Sequence, residues 1–155
     1  MKVHVYERAW LWAAAVMIAG FLGAVVFSAV VHAVQPPSHL ETVDPVKIFE
    51  HPDFSNPRVE SRDDGSTLVV GVAQMFSFSP DPITVKAGKP VTFRLTSPDV
   101  IHGFQIVGTN VNAMVIPGYV TQQTVTFQER GEYLVVCNEY CGLAHHIMQA
   151  RVVVE

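Results

Sequence analysis

Between Ala9 and Val34 the chain reads AWLWAAAVMIAGFLGAVVFSAVVHAV, with no Asp, Glu, Lys or Arg. A bilayer core of roughly 30 Å is crossed by about 20 apolar residues in a helix, and this run exceeds that. Its alanines and glycines allow close approach of neighbouring helices. Trp10 and Trp12 stand at its start, where aromatic rings favour the membrane interface. A cleaved secretory signal is the competing reading, since Val31-His32-Ala33 offers small residues near a cleavage point. Signal cores run only about 7–15 apolar residues, so a retained transmembrane helix over 9–34 is expected. Lys2 and Arg8 precede the run, and no further Lys or Arg follows until Lys47. The positive-inside rule then puts residues 1–8 in the cytoplasm and everything after Val34 outside. In an inner membrane of bacterial or archaeal type, that is the periplasmic or extracytoplasmic side, where disulfides are permitted.

Residues 35–66 change character, with prolines at 36, 37, 45, 52 and 57. Proline at that density prevents a long helix, and the stretch is read as an extended connector laid on a surface, with a short turn at Lys47 to Glu50. From Thr67 the pattern is all-β. TLVVGVA is a β-branched run with the look of a buried strand. PVTFRLT alternates, setting Val91, Phe93 and Leu95 on one face. TVTF, GEYLVV and QARVVVE follow, the last with Ala150, Val152 and Val154 on one face. Turn signals SPDP, KAGKP, TSPD and ERGE separate these runs. Short strands with such punctuation predict a β-sandwich over 67–155.

Near the C-terminus, VCNEYCGLAHHIMQ gathers Cys137, Glu139, Cys141, His145, His146 and Met148. A disulfide between cysteines four apart would close too small a loop to stabilise much, and it leaves His145 and Met148 unexplained. Zinc would accept the thiolates and imidazole but gains little from a thioether. Thiolate, imidazole and thioether together suit copper. Two thiolates can bridge two copper ions, each of which then needs its own imidazole. His102, in TSPDVIHGFQI, follows a strand by a short turn and is the candidate for the second. Gly142 permits a loop conformation that other residues avoid.

The pattern C-x-E-x-C-G-x2-H-x2-M is similar to the dinuclear copper A signature of subunit II of haem–copper cytochrome c oxidases. The resemblance also takes in FSFSPDPITVKAG, TSPDVIHGF and RGEYLVVCNEYCGLAHHIM. With one membrane helix, the chain resembles the short subunit II of the ba3, or B-type, oxidases. That resemblance implies an all-β, cupredoxin-like Greek-key sandwich behind a single N-terminal transmembrane helix. It implies Cys137 and Cys141 as bridging thiolates, His102 and His145 as terminal imidazoles, and Met148 and the Glu139 carbonyl as weak axial ligands. It also implies magnesium at the subunit I interface through the Glu139 side chain; short B-type chains often have glutamine here, so Glu139 departs from that pattern. The implied activity is acceptance of electrons from cytochrome c and their delivery to haem in subunit I, where oxygen is reduced to water. Oxidase subunit I, a small third subunit, cytochrome c and the membrane are the implied partners.

A membrane-anchored copper carrier for oxidase assembly is the main alternative, but such carriers hold one labile ion through fewer ligands. Nitrous oxide reductases share the signature and carry a large catalytic domain that this chain lacks. His146 has the wrong offset to Met148 and reads as a bystander. His4, His32, His39 and His51 read as interfacial or solvated, and Met75 and Met114 as packing. Phe76 and Phe78 read as packing rather than an electron path, and Asp99 as a loop residue with no required role. Phe104, Leu143 and Ile147 are expected as apolar surroundings of the site. The chain's net charge is −4, with the acidic excess in 35–66. Nucleic-acid binding, which needs a basic footprint, is excluded, and residues 67–155 are close enough to neutral to predict a mostly apolar docking face.

Overall fold

The computed structural model describes residues 4–31 and 41–155. The chain divides into two compact units, Met1–His39 and Leu40–Glu155. In the first, α1 (Val5–Val31) is an unbroken helix of 27 residues, about 40 Å long at 1.5 Å per residue. It starts earlier than the uncharged run because Glu7 and Arg8 are good helix formers. Val5–Ser28 is apolar enough to cross a membrane, and its apolar side chains are exposed within the chain. A helix that is apolar all round is built for lipid or for other membrane helices. Lys2, residues 32–34, His32 and His39 lie outside the described residues.

The second unit is a sandwich of two sheets. One sheet has the order β1 (Arg58–Ser61), β2 (Thr67–Gln74), β5 (Pro90–Thr96), β8 (Thr121–Thr126), with β3 (Ser77–Ser79) also pairing with β2. The other runs β4 (Ile83–Val85), β10 (Gln149–Val154), β9 (Gly131–Val136), β6 (His102–Ile106), β7 (Asn112–Val115). The alternation read in β5 and β10 is realised: Val91, Phe93 and Leu95 meet Ala150, Val152 and Val154 in one core cluster. The Phe78 and Phe104 rings pack edge to face within this core, their centroids 5.6 Å apart, so Phe78 is packing, as expected.

The continuous apolar run of β2 has a structural reason. Val69 and Ala73 face the main core, whereas Leu68, Val70 and Val72 face a second cluster with Val43, Ile48 and Phe54. Val43 to Phe54, within the stretch read as a connector laid on a surface, therefore cover that outer face, and Arg58–Ser61 adds an edge strand to the sheet. Pro45–Glu50 is a 3-10 turn whose N-cap Asp44 accepts a hydrogen bond from the Val46 N–H. Ile48 and Phe54 are fully buried. Arg94 on β5 fastens the cover by an ion pair to Asp53 at 2.9 Å and another to Glu41. Its guanidinium also lies over the Phe54 ring.

Candidate metal centre

Three strand ends of the second sheet converge at one end of the sandwich. β6 begins at His102, β9 ends just before Cys137, and β10 begins just after Met148. β6 and β9 pair antiparallel through Gln105↔Val136 and Ile106↔Val135, so the same register carried on brings Phe104 level with Cys137. β9 and β10 pair through Gln149↔Val136, and the Cys137 N–H donates to the Met148 carbonyl at 3.2 Å. Residues far apart in sequence thus meet because three strands share one sheet. The loop between them closes with a 3-10 turn over His145–Ile147.

The donor atoms that this produces stand at ligand spacing. Cys137 Sγ and Cys141 Sγ are 3.9 Å apart. Both cysteines are free, and a disulfide would hold its sulfurs at about 2.05 Å. His102 Nδ1 is 3.9 Å from Cys137 Sγ, and His145 Nδ1 is 3.6 Å from Cys141 Sγ. Met148 Sδ is 3.5 Å from Cys141 Sγ, and the Glu139 carbonyl oxygen is 3.2 Å from Cys137 Sγ. With metal–sulfur bonds of about 2.3 Å and metal–nitrogen bonds of about 2.0 Å, two donors on one tetrahedral ion are roughly 3.5–3.8 Å apart. Most of the observed spacings fall in or beside that range. His102, Cys137 and Cys141 are all buried, and their donor atoms lie within 4.8 Å of one another. The set of thiolates, imidazoles and thioether matches copper, since a thioether suits soft ions.

The loop conformation explains the glycines. Gly142 has φ +134, and a Cβ there would come within 3.2 Å of the Phe76 ring. A Cβ on Gly103 would lie 1.8 Å from Asn138 Oδ1 and 2.7 Å from its backbone N. Gly103 follows His102 and Asn138 follows Cys137, so this contact sets how closely the two ligand-bearing segments approach.

Each residue singled out from sequence has a definite place. His145 is half-buried, its ring centroid 5.8 Å from that of Tyr140, while His146 is exposed. The Glu139 side chain is exposed although its carbonyl faces the sulfurs. Phe104 is in the core beneath the site, but Leu143 and Ile147 are 91% and 63% exposed. Their expected place around the metal is therefore corrected. Cys141, His145 and Met148 take the inward positions of a very short loop, which turns 143 and 147 outward. His4 stacks on Tyr6, and His51 Nδ1 accepts the Asp53 N–H. Met75 and Met114 are about half exposed.

Two contributors went unread in the sequence. Asp99 Oδ1 is 2.8 Å from His102 Nε2, a bond that fixes which imidazole nitrogen is free for a metal. Burial acts to raise the Asp99 pKa, but the bonds from His102, the Val100 and Met75 N–H groups and Ser97 outweigh it and hold the carboxyl below its usual range. The other is the turn at Met75 and Phe76. Phe76 adopts φ +71 and packs against Gly142. Burial, then the neighbouring Cys137, push the Cys141 thiol above its usual pKa, and the Phe76 N–H partly offsets them.

Comparison with known proteins agrees with this geometry. Residues 49–155 match the family described as cytochrome c oxidase subunit II, periplasmic domain. A cytochrome c oxidase subunit 2 of Thermus thermophilus is 37% identical over 155 residues, covering 97% of this chain and 92% of the relative. A second Thermus thermophilus subunit 2 sequence is 41% identical over 123 residues, covering 77% and 90%. A chain in a cryo-EM structure of a heme-copper terminal oxidase dimer superposes with a TM-score of 0.69 at 30% identity, covering 97% of this chain and 99% of that one. The periplasmic domain of a Bradyrhizobium japonicum cytochrome oxidase subunit II shares the fold, with a TM-score of 0.54 at 18% identity over 64% of this chain and 86% of that one.

Proposed function

The chain belongs to the cytochrome c oxidase subunit II family, and from that premise we propose that its centre is a dinuclear copper A site fed by cytochrome c. It is the electron-input subunit of a haem–copper terminal oxidase, a single-pass membrane protein carrying a copper-binding, cupredoxin-like domain. Cys137 and Cys141 would bridge the two ions, His102 and His145 would each bind one, and Met148 and the Glu139 carbonyl would complete them. The copper pair supplies a one-electron store delocalised over two metals and two sulfurs. The observation that carries this reading is the ligand-spaced gathering of six donors in which the two cysteines stay 3.9 Å apart.

The protein's own contribution is rigidity and access. The ligands hang on strand ends of one sheet, and stiff support of this kind holds donors within about 0.5 Å of their working geometry. Little rearrangement then accompanies gain or loss of an electron. Phe104, Val135 and the rest of the core exclude water from beneath. Above, Tyr140, Leu143 and Ile147 present an exposed apolar surface beside half-buried His145. That surface suits a cytochrome c that docks by apolar contact, the electron passing on to haem in subunit I. The domain faces the periplasmic side, with residues 1–8 in the cytoplasm. The Glu139 carboxylate, outside the copper set, is offered to a magnesium ion at the subunit I interface.

The test is stopped-flow oxidation of reduced cytochrome c by the copper-loaded full chain in detergent. A bimolecular rate nearly independent of salt is expected, because a near-neutral domain cannot steer a charged partner strongly. Leu143→Glu should slow that rate several-fold without changing copper content. A steep fall of the rate with salt, or full activity in Leu143→Glu, would refute the apolar docking reading. Failure of the wild-type chain to accept an electron at all would refute the function.

A further inference from the structure

We propose that Asp99 is a positioning residue of the metal centre, holding His102 with one carboxylate oxygen and the Met75–Phe76 turn with the other. The inference rests on the copper reading above. His102 is completely buried, and its Nε2 lies 2.8 Å from Asp99 Oδ1. A neutral imidazole carries its proton on one nitrogen and a lone pair on the other, and the partner of the first decides which. A carboxylate at Nε2 keeps the proton there and leaves the Nδ1 lone pair, 3.9 Å from Cys137 Sγ, for a metal. Ligating histidines commonly have such a partner, and losing it costs about 10–100-fold in metal affinity.

Asp99 is itself held before any metal arrives. Oδ1 accepts the Val100 N–H at 2.6 Å and lies 2.9 Å from the Ser97 hydroxyl. Oδ2 accepts the Met75 N–H at 2.6 Å, across 24 residues of sequence. The ring of the next residue, Phe76, packs against Gly142, the neighbour of Cys141. One carboxylate therefore links an imidazole to the turn that packs against the cysteine-bearing loop. Among the described residues no carboxylate is bonded to the His145 ring, which lies against Cys141 Sγ and the Tyr140 ring. The two imidazoles are unequal: one is clamped by an anion and buried, and the other stands at the surface. An anion beside the buried ligand favours the more oxidised centre.

The test uses the full chain in detergent as wild type, Asp99→Asn and Asp99→Ala. In the metal-free protein, nitrogen-15 NMR of the imidazoles reads the His102 tautomer and the exchange of its N–H with water. The wild type should hold the Nε2–H form with slow exchange. Asp99→Asn, whose amide oxygen still accepts, should retain that tautomer. Asp99→Ala should show mixed tautomers, at least tenfold faster exchange, and copper affinity lower by about tenfold or more. With copper bound, Asp99→Asn should favour the reduced centre by about tenfold, or 59 mV for a one-electron couple. Retention of the Nε2–H form and slow exchange in Asp99→Ala would overturn the proposal, as would an unchanged potential in Asp99→Asn. If Asp99→Ala does not fold, the Asp99→Asn potential decides. Wild-type protein that takes up no copper pair would instead refute the copper reading, leaving the metal-free tautomer to judge Asp99.

Discussion

Gly103→Ala probes the contact that brings the two ligand-bearing segments together. A Cβ at 103 would stand 2.7 Å from the Asn138 backbone N and 1.8 Å from its Oδ1. The side chain can rotate away, but only by giving up its hydrogen bond from Nδ2 to Asn112 Oδ1, now 3.0 Å; a bond of that kind is worth about 0.5–1.5 kcal/mol net. The backbone cannot rotate away. β6 or the Cys137 loop must move by roughly 0.5 Å to restore ordinary contact, and overpacking of this kind costs about 1–3 kcal/mol. Together the loss is about 2–4 kcal/mol, or roughly 10–20 °C in Tm for a domain of this size. Such a displacement also equals the tolerance of about 0.5 Å within which a site must be held, so copper affinity falls with stability. Urea unfolding of the reduced, metal-free chain gives the first quantity and copper titration the second. Asn138→Ala alone should cost about 1 kcal/mol through loss of that bond, but it should add little in the Gly103→Ala background, where the bond is already given up. A cost below about 0.5 kcal/mol for Gly103→Ala, with copper binding intact, would refute the claim that this approach sets the ligand geometry.

Phe54→Ala should destabilise the domain by about 3–5 kcal/mol, because Phe54 is fully buried against the outer face of β2; a loss under about 1 kcal/mol would show the cover to be dispensable. The Cys141 thiol gives a pH dependence of definite sign. Its folded pKa lies above the unfolded value, so its contribution to the metal-free fold is complete below the unfolded pKa and is lost as pH rises through the folded one. Wild-type stability, measured relative to Cys141→Ser in urea, should therefore fall from pH 7 to pH 10; a rise would contradict the assignment. Gly142→Ala should cost about 1–3 kcal/mol through its φ of +134 and should reduce copper uptake, as read by unfolding and metal analysis.

Much of this molecule was legible in the chain because its signals are local. Absence of charge marked the helix, alternation at Val91, Phe93 and Leu95 marked a strand, and the fixed offsets among Cys137, Cys141, His145 and Met148 marked one loop. His102 came from chemistry, since a pair of bridged metals would need a second imidazole, and its Nδ1 lies 3.9 Å from Cys137 Sγ. What escaped is long-range. The Met75 N–H reaches Asp99 across 24 residues, and no short pattern announces that. Asp99 did leave a trace, an acidic residue three before the candidate ligand His102. Residues 35–66 read as a connector laid on a surface, which holds for the described part, but their prolines and charges obscure Ile48 and Phe54 as core residues. The remedy was in β2, whose unbroken apolar run needs a partner on both faces. Leu143 and Ile147 were misplaced because apolar character was equated with burial; a loop that turns three ligands inward must turn others out.

The central claim is that the two cysteines hold two copper ions rather than one ion or a disulfide. Copper stoichiometry with the electron paramagnetic resonance spectrum of the reconstituted full chain tests it most directly. The account predicts two copper ions per chain sharing one unpaired electron, seen as a seven-line hyperfine pattern that Cys141→Ser abolishes and Met148→Leu retains. One copper per chain with an ordinary four-line pattern, or a Cys137–Cys141 disulfide that takes up no copper under reducing conditions, would contradict it.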